Sequence, residues 1–293
     1  MSIPTNSDEV ITAFKNLYSG YGKAHGKFEI KGPEPLTGKV QGKATTIHTG
    51  APEQAWGDHL AGTRAGLGSI PLLDDGMSAQ WAAIDIDVND IDHTSLEKKV
   101  EDLGLPLIIC RSKSGGAHCY LFLERPCPAR DVVDALSNWS AALGYPGVEI
   151  FPKQTKRERD PQTGKPRPGN WINLPYFGGD ATERYCVHSG ERLSLLAFIK
   201  MAEGNRSAEE VLCIRHTPPS PHLRSKALRL NPARGEMDFF TPKGVGCVPA
   251  VSKGKRSDLY LLTSTNRQQV KIIPIFLEGH SRPQKSTRLC PRC

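Results

Sequence analysis

Residues 81–87 have the sequence WAAIDID, an apolar run that predicts a buried β-strand ending in two acids. Side chains at positions i and i+2 of a strand share a face, so Asp85 and Asp87 lie side by side. Ile84 and Ile86 point the other way, into the core. Two neighbouring carboxylates repel each other unless a cation lies between them. The strand therefore indicates a site for hard divalent ions such as Mg²⁺ or Mn²⁺, with an exposed strand end and two solvated acids as the alternative.

Helices and strands are predicted on both sides of this strand. The elements before it are a helix over 7–17 capped by Ser7, a helix over 51–61 that opens with Pro52, and a strand over 68–73. The elements after it are helices over 95–103, 129–143, 193–202 and 208–214, and strands over 105–110, 118–123, 148–151 and 171–174. Residues 19–43 indicate a loop with one strand at most, and the basic, Pro- and Gly-rich residues 153–169 indicate a mobile loop. This mixture, which includes a β-hairpin, predicts an α+β fold.

A polar segment with the sequence RSKSGGAH, residues 111–118, joins the two strands of the hairpin. Glycines let backbone amides approach a phosphate closely, and the hydroxyl and cationic side chains around them can bind its oxygens. The segment therefore predicts a triphosphate-binding turn. The residues concerned are Arg111, Lys113, Ser114, Gly115, Gly116 and His118. The segment is not a Walker A loop, and a flexible hairpin with solvated charges is the alternative.

Two later strands carry polar residues of interest. Glu149 lies inside an apolar run, GVEIF at 147–151, and a carboxylate buried there needs a partner such as a metal ion. A glutamate that faces solvent on an edge strand is the alternative. The segment GNWINLP at 169–175 carries two amides, which can hydrogen-bond a base or a sugar or cap the neighbouring backbone.

The charge of the chain is uneven. The 293 residues include 38 Lys and Arg against 31 Asp and Glu, and residues 214–293 alone carry 15 basic against 4 acidic residues. A basic tail favours a polyanion such as nucleic acid, and a solvated, partly disordered extension is the alternative. Together with the Pro-rich linker at 217–221, this predicts a catalytic domain over 1–213 and a basic, poorly ordered C-terminal extension over 214–293.

The remaining composition, 38% hydrophobic and 24% charged, is typical of a globular protein. No apolar run approaches the roughly 18 residues of a membrane span and the N-terminus lacks a signal-peptide pattern, so no membrane partner and a cytoplasmic location are expected. A zinc site is the weaker hypothesis. Cys186 and His188 would pair with Cys213 and His216 if the two segments meet, and unrelated surface and core residues are the simpler explanation.

These segments, in this order, resemble the archaeo-eukaryotic primase superfamily. The pattern of that superfamily is a strand with two acids one residue apart, a Ser-x-His element, and a third acid on a later strand. Here it corresponds to Asp85 and Asp87, to the turn from Ser114 to His118, and to Glu149. The chain departs from the pattern in having three residues rather than one between the serine and the histidine.

The resemblance covers a motif core over 59–177 and is closest to the primases of TOTE conflict systems and related mobile elements. It implies an RRM-like catalytic core with an adjoining α/β module. It also implies template-directed attack of a 3′-hydroxyl on the α-phosphate of an incoming NTP or dNTP, on single-stranded DNA, with two divalent ions, Mg²⁺ or Mn²⁺. Replication of a phage, a plasmid or another mobile element is the expected context. Relatives often continue into a helicase domain, and because this chain has no Walker A motif, a helicase would act in trans.

The resemblance also implies a role for each candidate residue. Asp85, Asp87 and Glu149 would hold the metal ions. Arg111, Lys113, Ser114 and His118, with Gly115 and Gly116, would bind the triphosphate. Lys153 and Asn170 are candidates for contact with the nucleotide or the template.

Two other functions use the same residues. A metal-dependent nuclease would direct the carboxylates at water instead of a 3′-hydroxyl, although a nuclease has no triphosphate for residues 111–118 to bind. A non-catalytic nucleic-acid-binding accessory protein of replication would use the basic tail and residues 153–167, and would not need the acids.

Overall fold

The structure, a computed structural model, describes residues 7–33, 40–89 and 91–217, and beyond them only five short strands. The chain divides into two compact units, one of Met1–Pro219 with Thr287–Cys293 and one of Ser220–Ser286. The elements of the first unit are α1 (Asp8–Leu17), β1 (His25–Pro33), β2 (Val40–Ile47), α2 (Glu53–Ala61), β3 (Gly66–Ser69), β4 (Ser78–Ile86), α3 (His93–Asp102), β5 (Ile108–Arg111), β6 (Ala117–Pro128), α4 (Ala129–Ala142), β7 (Glu149–Phe151), β8 (Ile172–Asn173), β9 (Val187–His188), β10 (Glu191–Arg192) and α5 (Leu195–Gly204). Within the described ranges, no helix has the length and apolar character needed to cross a membrane.

The central sheet of the first unit has the strand order β5-β6-β4-β7, and each neighbouring pair is antiparallel. Helix α3 connects β4 to β5 and α4 connects β6 to β7, so the chain runs β-α-β-β-α-β through the sheet. Both helices cover one face, where Leu96 of α3 and Trp139 of α4 share a buried core with Ile84 and Ile86 of β4. This arrangement confirms the predicted α+β, RRM-like core.

A second antiparallel sheet, β2-β1-β3-β8, forms the adjoining module with α1, α2 and α5. Phe14 of α1, Leu60 of α2 and Phe198 of α5 pack in one core with Leu174 and with Tyr120 of the central sheet. The central sheet is therefore buried on both faces along most of its length. Ser7 caps α1 as predicted, because its side chain accepts a hydrogen bond from the backbone N–H of Val10.

The prediction of one strand at most over 19–43 is wrong, because β1 and β2 pair along their length. Glycines interrupt the alternation of apolar and polar residues that would predict a strand here. Two of them lie directly against aromatic rings. A Cβ atom at Gly26 would lie 2.0 Å from the Trp171 indole, and one at Gly42 would lie 2.0 Å from the Phe28 ring. The glycines are thus required by packing in a sheet, whereas the sequence pattern indicated a loop.

Two other predicted elements differ from the structure. The strand over 68–73 is β3, which ends at Ser69. The helix over 208–214 is the 3-10 helix Glu209–Cys213 rather than an α-helix. Both of its flanks are tied to other elements, because Ser207 N–H donates to the Phe122 carbonyl and Trp139 Nε1 donates to the Ile214 carbonyl. A 3-10 helix rises further per residue than an α-helix, so it spans fixed ends with fewer residues.

Residues 153–169, predicted to be a mobile loop, form no helix or strand and fold back on themselves around Arg157. The Arg157 guanidinium donates to the carbonyls of Leu72 and Leu73 at 2.8 and 2.9 Å, and to that of Pro168 at 2.5 Å. Its Cζ atom lies 3.5 Å from the centre of the Tyr21 ring. The segment is therefore anchored to the body of the domain through one side chain.

In the second unit the structure describes only strands. β11 (Arg229–Asn231), β12 (Glu236–Thr241) and β13 (Gly244–Pro249) form a three-stranded antiparallel sheet, and β14 (Tyr260–Ser264) pairs with β15 (Val270–Pro274). The rest of the extension predicted over 214–293, including most of its basic residues, lies outside the described residues. The predicted domain boundary at 213 stays a prediction.

Candidate active site

Three strands of the central sheet bring predicted catalytic residues into one row. Asp85 on β4 lies directly opposite His118 on β6 and directly opposite Glu149 on β7. Directly opposed residues on neighbouring strands point to the same face, so the three side chains form a line across the sheet. We call this line the acid row. The Nε2 atom of His118 lies 3.4 Å from Oδ1 of Asp85.

The acid row lies where one face of the sheet emerges from the first core. Trp81 and Ala83, on the same face of β4 as Asp85, are buried in that core. Asp85 is half-buried and Asp87, just after the end of β4, is exposed. The apolar run therefore positions the two acids at the border between core and solvent, as the sequence pattern predicted.

The turn between β5 and β6 lies against the end of β4. Its backbone is closed by a 2.8 Å hydrogen bond from the Ser112 N–H to the Gly116 carbonyl, which also accepts from Nε2 of His93 at 3.0 Å. The Ser114 hydroxyl donates to Oδ1 of Asp87 at 3.1 Å. The turn is thus attached to the second acid of the pair.

The backbone of the turn requires glycine at both position 115 and position 116. Gly115 has a φ of +89°, in the region that favours glycine. A Cβ atom at Gly116 would lie 2.2 Å from the Ile86 carbonyl oxygen. A side chain therefore cannot be accommodated two residues before His118 on this backbone, which explains why the chain departs from the Ser-x-His spacing.

The electrostatics of the acid row fit a cation. Burial of the carboxyl, and then the charges of Asp87 and Glu149, raise the pKa of Asp85 to about 6. Lys153 and Lys113 oppose this effect without cancelling it. Asp85 and Glu149 of the row, with Asp87 beside it, thus place like charges close together, and their oxygen atoms are the donors that a hard divalent ion prefers.

His118 is neutral at physiological pH. Burial and the charge of Arg184 lower its pKa to about 4, although Asp87 raises it. Its Nδ1 atom lies 3.1 Å from the Tyr120 hydroxyl, which also lies 3.4 Å from the Asn173 carbonyl oxygen. The side chain is therefore held between Tyr120 and Asp85, with its orientation fixed.

Glu149 lies on a strand as predicted, and of the two alternatives left open by the sequence the structure shows the glutamate that faces solvent on an edge strand. β7 is an edge strand of only three residues, and the Glu149 side chain is 59% exposed. Its Oε1 atom lies 2.5 Å from Nζ of Lys153, whose ammonium group is also 5.1 Å from the Phe151 ring centre. The sheet register thus brings Glu149 and Lys153 to the acid row, and Lys153 serves as the partner of Glu149.

The basic residues of the turn are directed towards the adjoining module. The Arg111 guanidinium donates to the Glu183 carbonyl at 3.0 Å and lies 3.6 Å from the Glu183 carboxylate. The Lys113 ammonium lies 3.9 Å from the centre of the Phe28 ring on β1. Lys113 therefore lies where the two sheets approach each other, next to the acid row.

Asn170, just after residues 153–169, is hydrogen-bonded to Gln154 near the start of that segment. Its side-chain oxygen accepts from Nε2 of Gln154 at 2.5 Å, and its N–H donates to Oε1 of Gln154 at 3.2 Å. The structure therefore shows Asn170 closing the loop. Its contact with a nucleotide or a template stays a prediction.

Residues 36–196, more than half of the chain, match the model of the archaeo-eukaryotic primase domain of TOTE conflict systems. This chain belongs to that family. The match extends from β2 to the start of α5 and contains the acid row, the turn at 111–118 and the anchored loop. A nucleotidyltransferase of the primase type is the activity that this family supports.

Two solved structures resemble this primase domain. One is the archaeo-eukaryotic primase domain of the primase-polymerase of cyanophage S-2L, with 12% identity and a TM-score of 0.36, covering 67% of this chain and 98% of that one. The other is the catalytic domain of primase RepB′ in complex with initiator DNA, with 9% identity and a TM-score of 0.29, covering 67% and 95%. No curated protein matches the chain.

Three further residues, which no sequence motif indicated, lie near the acid row of this primase domain. Tyr120 lies two positions after His118 on one strand, so period-two alternation was an available signal. Asn173 has a buried side-chain oxygen without a hydrogen-bond partner, and Arg184 has a buried guanidinium nitrogen without one. Neither has a local sequence signal, because their neighbours come from distant segments.

No closed metal-ligand set is preformed in the described ranges, since no three His, Cys, Asp or Glu residues converge there. Asp85 and Glu149 share a face, but Glu149 is paired with Lys153, and Asp87, beside the row, is bonded to Ser114. The structure shows no convergence of the residues of the hypothetical zinc site within the described ranges. Cys186 is buried in the first core and His188 lies 3.4 Å from Glu97, and neither belongs to a group of three such ligands among the described residues.

Proposed function

We propose that this primase domain is a template-directed nucleotidyltransferase that adds nucleotides to a 3′-hydroxyl with the help of two divalent ions, Mg²⁺ or Mn²⁺. The observation that carries the proposal is the acid row, with Asp87 beside it and the turn at 111–118 attached to Asp87. When bound, the ions would polarise the attacking oxygen and stabilise the pyrophosphate leaving group.

The carboxylates have the role of holding the ions. Asp85 and Glu149 supply oxygen donors on one face with Asp87 beside them, and burial together with the charges of Asp87 and Glu149 raises the pKa of Asp85 to about 6, which supports this role. Without ligand, Ser114 is hydrogen-bonded to Asp87, and Lys153 is ion-paired with Glu149. We therefore expect stable ion binding only when a triphosphate adds its oxygens and draws Ser114 and Lys153 away.

His118 has the role of a neutral hydrogen-bond donor to the triphosphate. The Tyr120 hydroxyl lies closer to Nδ1 of His118 than to its other acceptor, the Asn173 carbonyl. If the hydroxyl donates to Nδ1, the ring proton is on Nε2, which faces Asp85. An N–H in that position can donate to a phosphate oxygen held above the acid row. Ser114, Lys113 and the backbone of Gly115 and Gly116 would bind the same phosphates.

A single-stranded DNA template is the proposed partner of residues 153–169. Lys156, Arg159 and Lys165 are exposed on this segment, and Arg157 fixes it to the domain. A basic surface held rigidly beside the acid row is suited to a phosphate backbone. Replication of a mobile element, a helicase in trans and a cytoplasmic location are further proposals that rest on the sequence alone.

Synthesis assays with purified full-length protein test the proposal. A single-stranded template, labelled nucleotides and Mn²⁺ should give extended products. An Asp85→Asn, Asp87→Asn variant should lose on the order of a thousandfold in rate, because the metal contribution is worth several kcal/mol. Asp134→Asn, an exposed acid on α4, should leave the rate unchanged.

The same assay separates the two rival functions. Shortened template without extended product would establish the nuclease and overturn the proposal. Unchanged DNA binding together with no synthesis by either the wild-type protein or the variant would establish the non-catalytic binder.

A further inference from the structure

A cavity of about 330 Å³ lies between the anchored loop and the body of the domain, and the proposed chemistry gives it no role. Leu72 lines it from the body and Pro168 lines it from the loop, together with the amide side chains of Gln154 and Asn170. A water molecule takes up about 30 Å³, so the cavity has space for roughly as many non-hydrogen atoms as one nucleobase contains. Pockets for small molecules begin at about this volume.

Arg157 ties the two walls of this cavity together. Its guanidinium donates to the carbonyls of Leu72 and Leu73, on the domain body, at 2.8 and 2.9 Å. It also donates to the carbonyls of Pro168 and Arg167, on the loop, at 2.5 and 3.2 Å. The cavity is therefore formed before any ligand binds, which lowers the cost of ordering the site.

The two amides of the cavity are held in a defined orientation. The backbone N–H of Asn170 donates to Oε1 of Gln154 at 3.2 Å, and this bond fixes which side of the Gln154 amide is the oxygen. The Gln154 nitrogen then donates to Oδ1 of Asn170 at 2.5 Å. Among the described residues, the Asn170 amide nitrogen and the second N–H of Gln154 have no hydrogen-bond partner. Amides of this kind pair with the edges of bases, and best with adenine.

A basic groove of about 940 Å³ runs along the same loop. It shares part of its lining with the cavity, including Gln154 and Arg157. Lys153 also lines the groove and is paired with Glu149, so the groove adjoins the acid row. The cations of its lining, against the single acid Glu158, are Lys153, Lys156, Arg157, Arg159 and Arg167.

Two of these cations are available to a polyanion. Lys156 and Arg159 are exposed, and neither is paired with a carboxylate within the described ranges. They can therefore bind phosphates without the loss of an internal ion pair. A free nucleotide would need the cavity alone, whereas a cationic groove that leads past the cavity fits a chain of phosphates.

We propose that the cavity receives one unpaired base of a single-stranded DNA whose backbone lies in the basic groove, with Gln154 and Asn170 as the hydrogen-bonding partners of that base. This inference rests on the proposed binding of a single-stranded template by residues 153–169. The domain thus contacts one base of the strand directly, in a cavity separate from the acid row. Stacking and hydrogen bonding of the base add to the attraction between the groove and the phosphates.

Fluorescence anisotropy with the full-length protein in a chelator tests the inference without nucleotide and without synthesis. The probes are labelled oligo(dA) and an abasic strand of the same length, which has the same phosphate charge but no bases. The wild-type protein should bind oligo(dA) more tightly. Gln154→Met should weaken oligo(dA) binding about five- to hundredfold, the discrimination of one amide–base pair, and abasic-strand binding by less than about twofold.

A second variant and two controls accompany this substitution. Asn170→Ala keeps the backbone bond to Gln154 and should lose part of the same selectivity. Gln80→Met should bind both strands as the wild-type protein does, because Gln80 is a half-buried glutamine on β4 whose amide donates to the Glu124 carbonyl, away from the loop. Lys156→Met removes a groove cation and should weaken both strands equally. Thermal unfolding shows whether each variant is folded.

The outcomes separate the inference from the function on which it rests. Equal binding of the two strands by the wild-type protein, or equal losses on both in Gln154→Met, overturns the inference and leaves the proposed function standing. The same is true if Gln154→Met weakens binding of dATP in Mg²⁺ and of neither strand, because the base in the cavity is then that of the nucleotide. A wild-type protein that binds neither strand overturns the inference and the proposed template together. Selectivity for oligo(dA) that Gln154→Met abolishes, in a protein that makes no product, supports the inference and overturns the proposed synthesis.

Discussion

Asp85 and Glu149 lie directly opposite each other on the antiparallel strands β4 and β7, and burial, followed by the charges of Asp87 and Glu149, raises the pKa of Asp85 to about 6. Strand register alone places them there, because β7 has only three residues and is an edge strand. A cross-strand pair of like charges destabilises a sheet. Such a pair has measurable consequences for the stability of the ligand-free protein.

Asp85→Asn should stabilise the ligand-free protein at neutral pH. The pKa of Asp85 is raised from an ordinary value of 3.8 to about 6 in the folded state, so ionisation disfavours folding, and the unfolding free energy falls as the pH rises from about 4 to about 6. Above that window the asparagine should add about 1–3 kcal/mol, and the gain should vanish below pH 4.

Urea unfolding in a chelator at pH 8 and at pH 4 measures this difference. Asp134→Asn, at an exposed position, is the control and should change the stability little at either pH. An asparagine variant less stable than the wild-type protein at pH 8 would show that the acids do not repel each other.

Lys153→Met should strengthen divalent-ion binding in the absence of nucleotide. Lys153 is paired with Glu149 and also lowers the pKa of Asp85, so it acts as a cation already present at the acid row. Its removal should raise the affinity for Mn²⁺ about two- to fivefold, the strength of a partly exposed ion pair.

Mn²⁺ titration followed by electron paramagnetic resonance measures the bound fraction. Lys156→Met removes an exposed lysine from the same loop and should change the affinity less. If instead Lys153→Met binds Mn²⁺ more weakly than the wild-type protein, Glu149 is not an ion ligand.

The sequence was sufficient for the parts of the site that depend on local pattern. Asp85 and Asp87 share a face because of strand geometry, and the turn at 111–118 follows from its glycines. The sequence left open whether Glu149 is buried or faces solvent, because the answer depends on which strand lies at the edge of the sheet. Arg184 could not be found from the sequence, since the rings beside it, Phe28 and Phe177, and His118 come from three distant segments. Strand β1 could not be predicted because Gly26, which packs against the Trp171 ring, interrupts the sequence pattern typical of a strand.

Gly116→Ser should destabilise the domain although it restores the Ser-x-His spacing of the superfamily. The new Cβ would lie 2.2 Å from the Ile86 carbonyl oxygen, a backbone atom that cannot move without displacing the strand between the two acids. Overpacking of this kind costs about 1–3 kcal/mol. Chemical denaturation measures the loss, and synthesis should fall with it.

Gly204→Ala is the control for this substitution. Gly204 is the last residue of α5 and a Cβ atom there meets nothing within 4 Å, so alanine should be neutral or stabilising. A Gly116→Ser protein as stable and active as the wild type would mean that the turn has room for the serine.

Arg157→Met should release residues 153–169 and weaken template binding. The side chain anchors the segment through the carbonyls of Leu72, Leu73 and Pro168 and through the Tyr21 ring, and methionine can replace only the ring contact. Trypsin should then cleave the segment at least about tenfold faster, since cleavage follows the population of the open form.

The affinity of Arg157→Met for single-stranded DNA, measured by fluorescence anisotropy, should fall more than that of Arg159→Met. The second substitution removes an exposed charge that is bonded only within the segment, to the Gly164 carbonyl. Equal losses in the two variants would show that the charge of the segment matters for DNA binding and its anchoring does not.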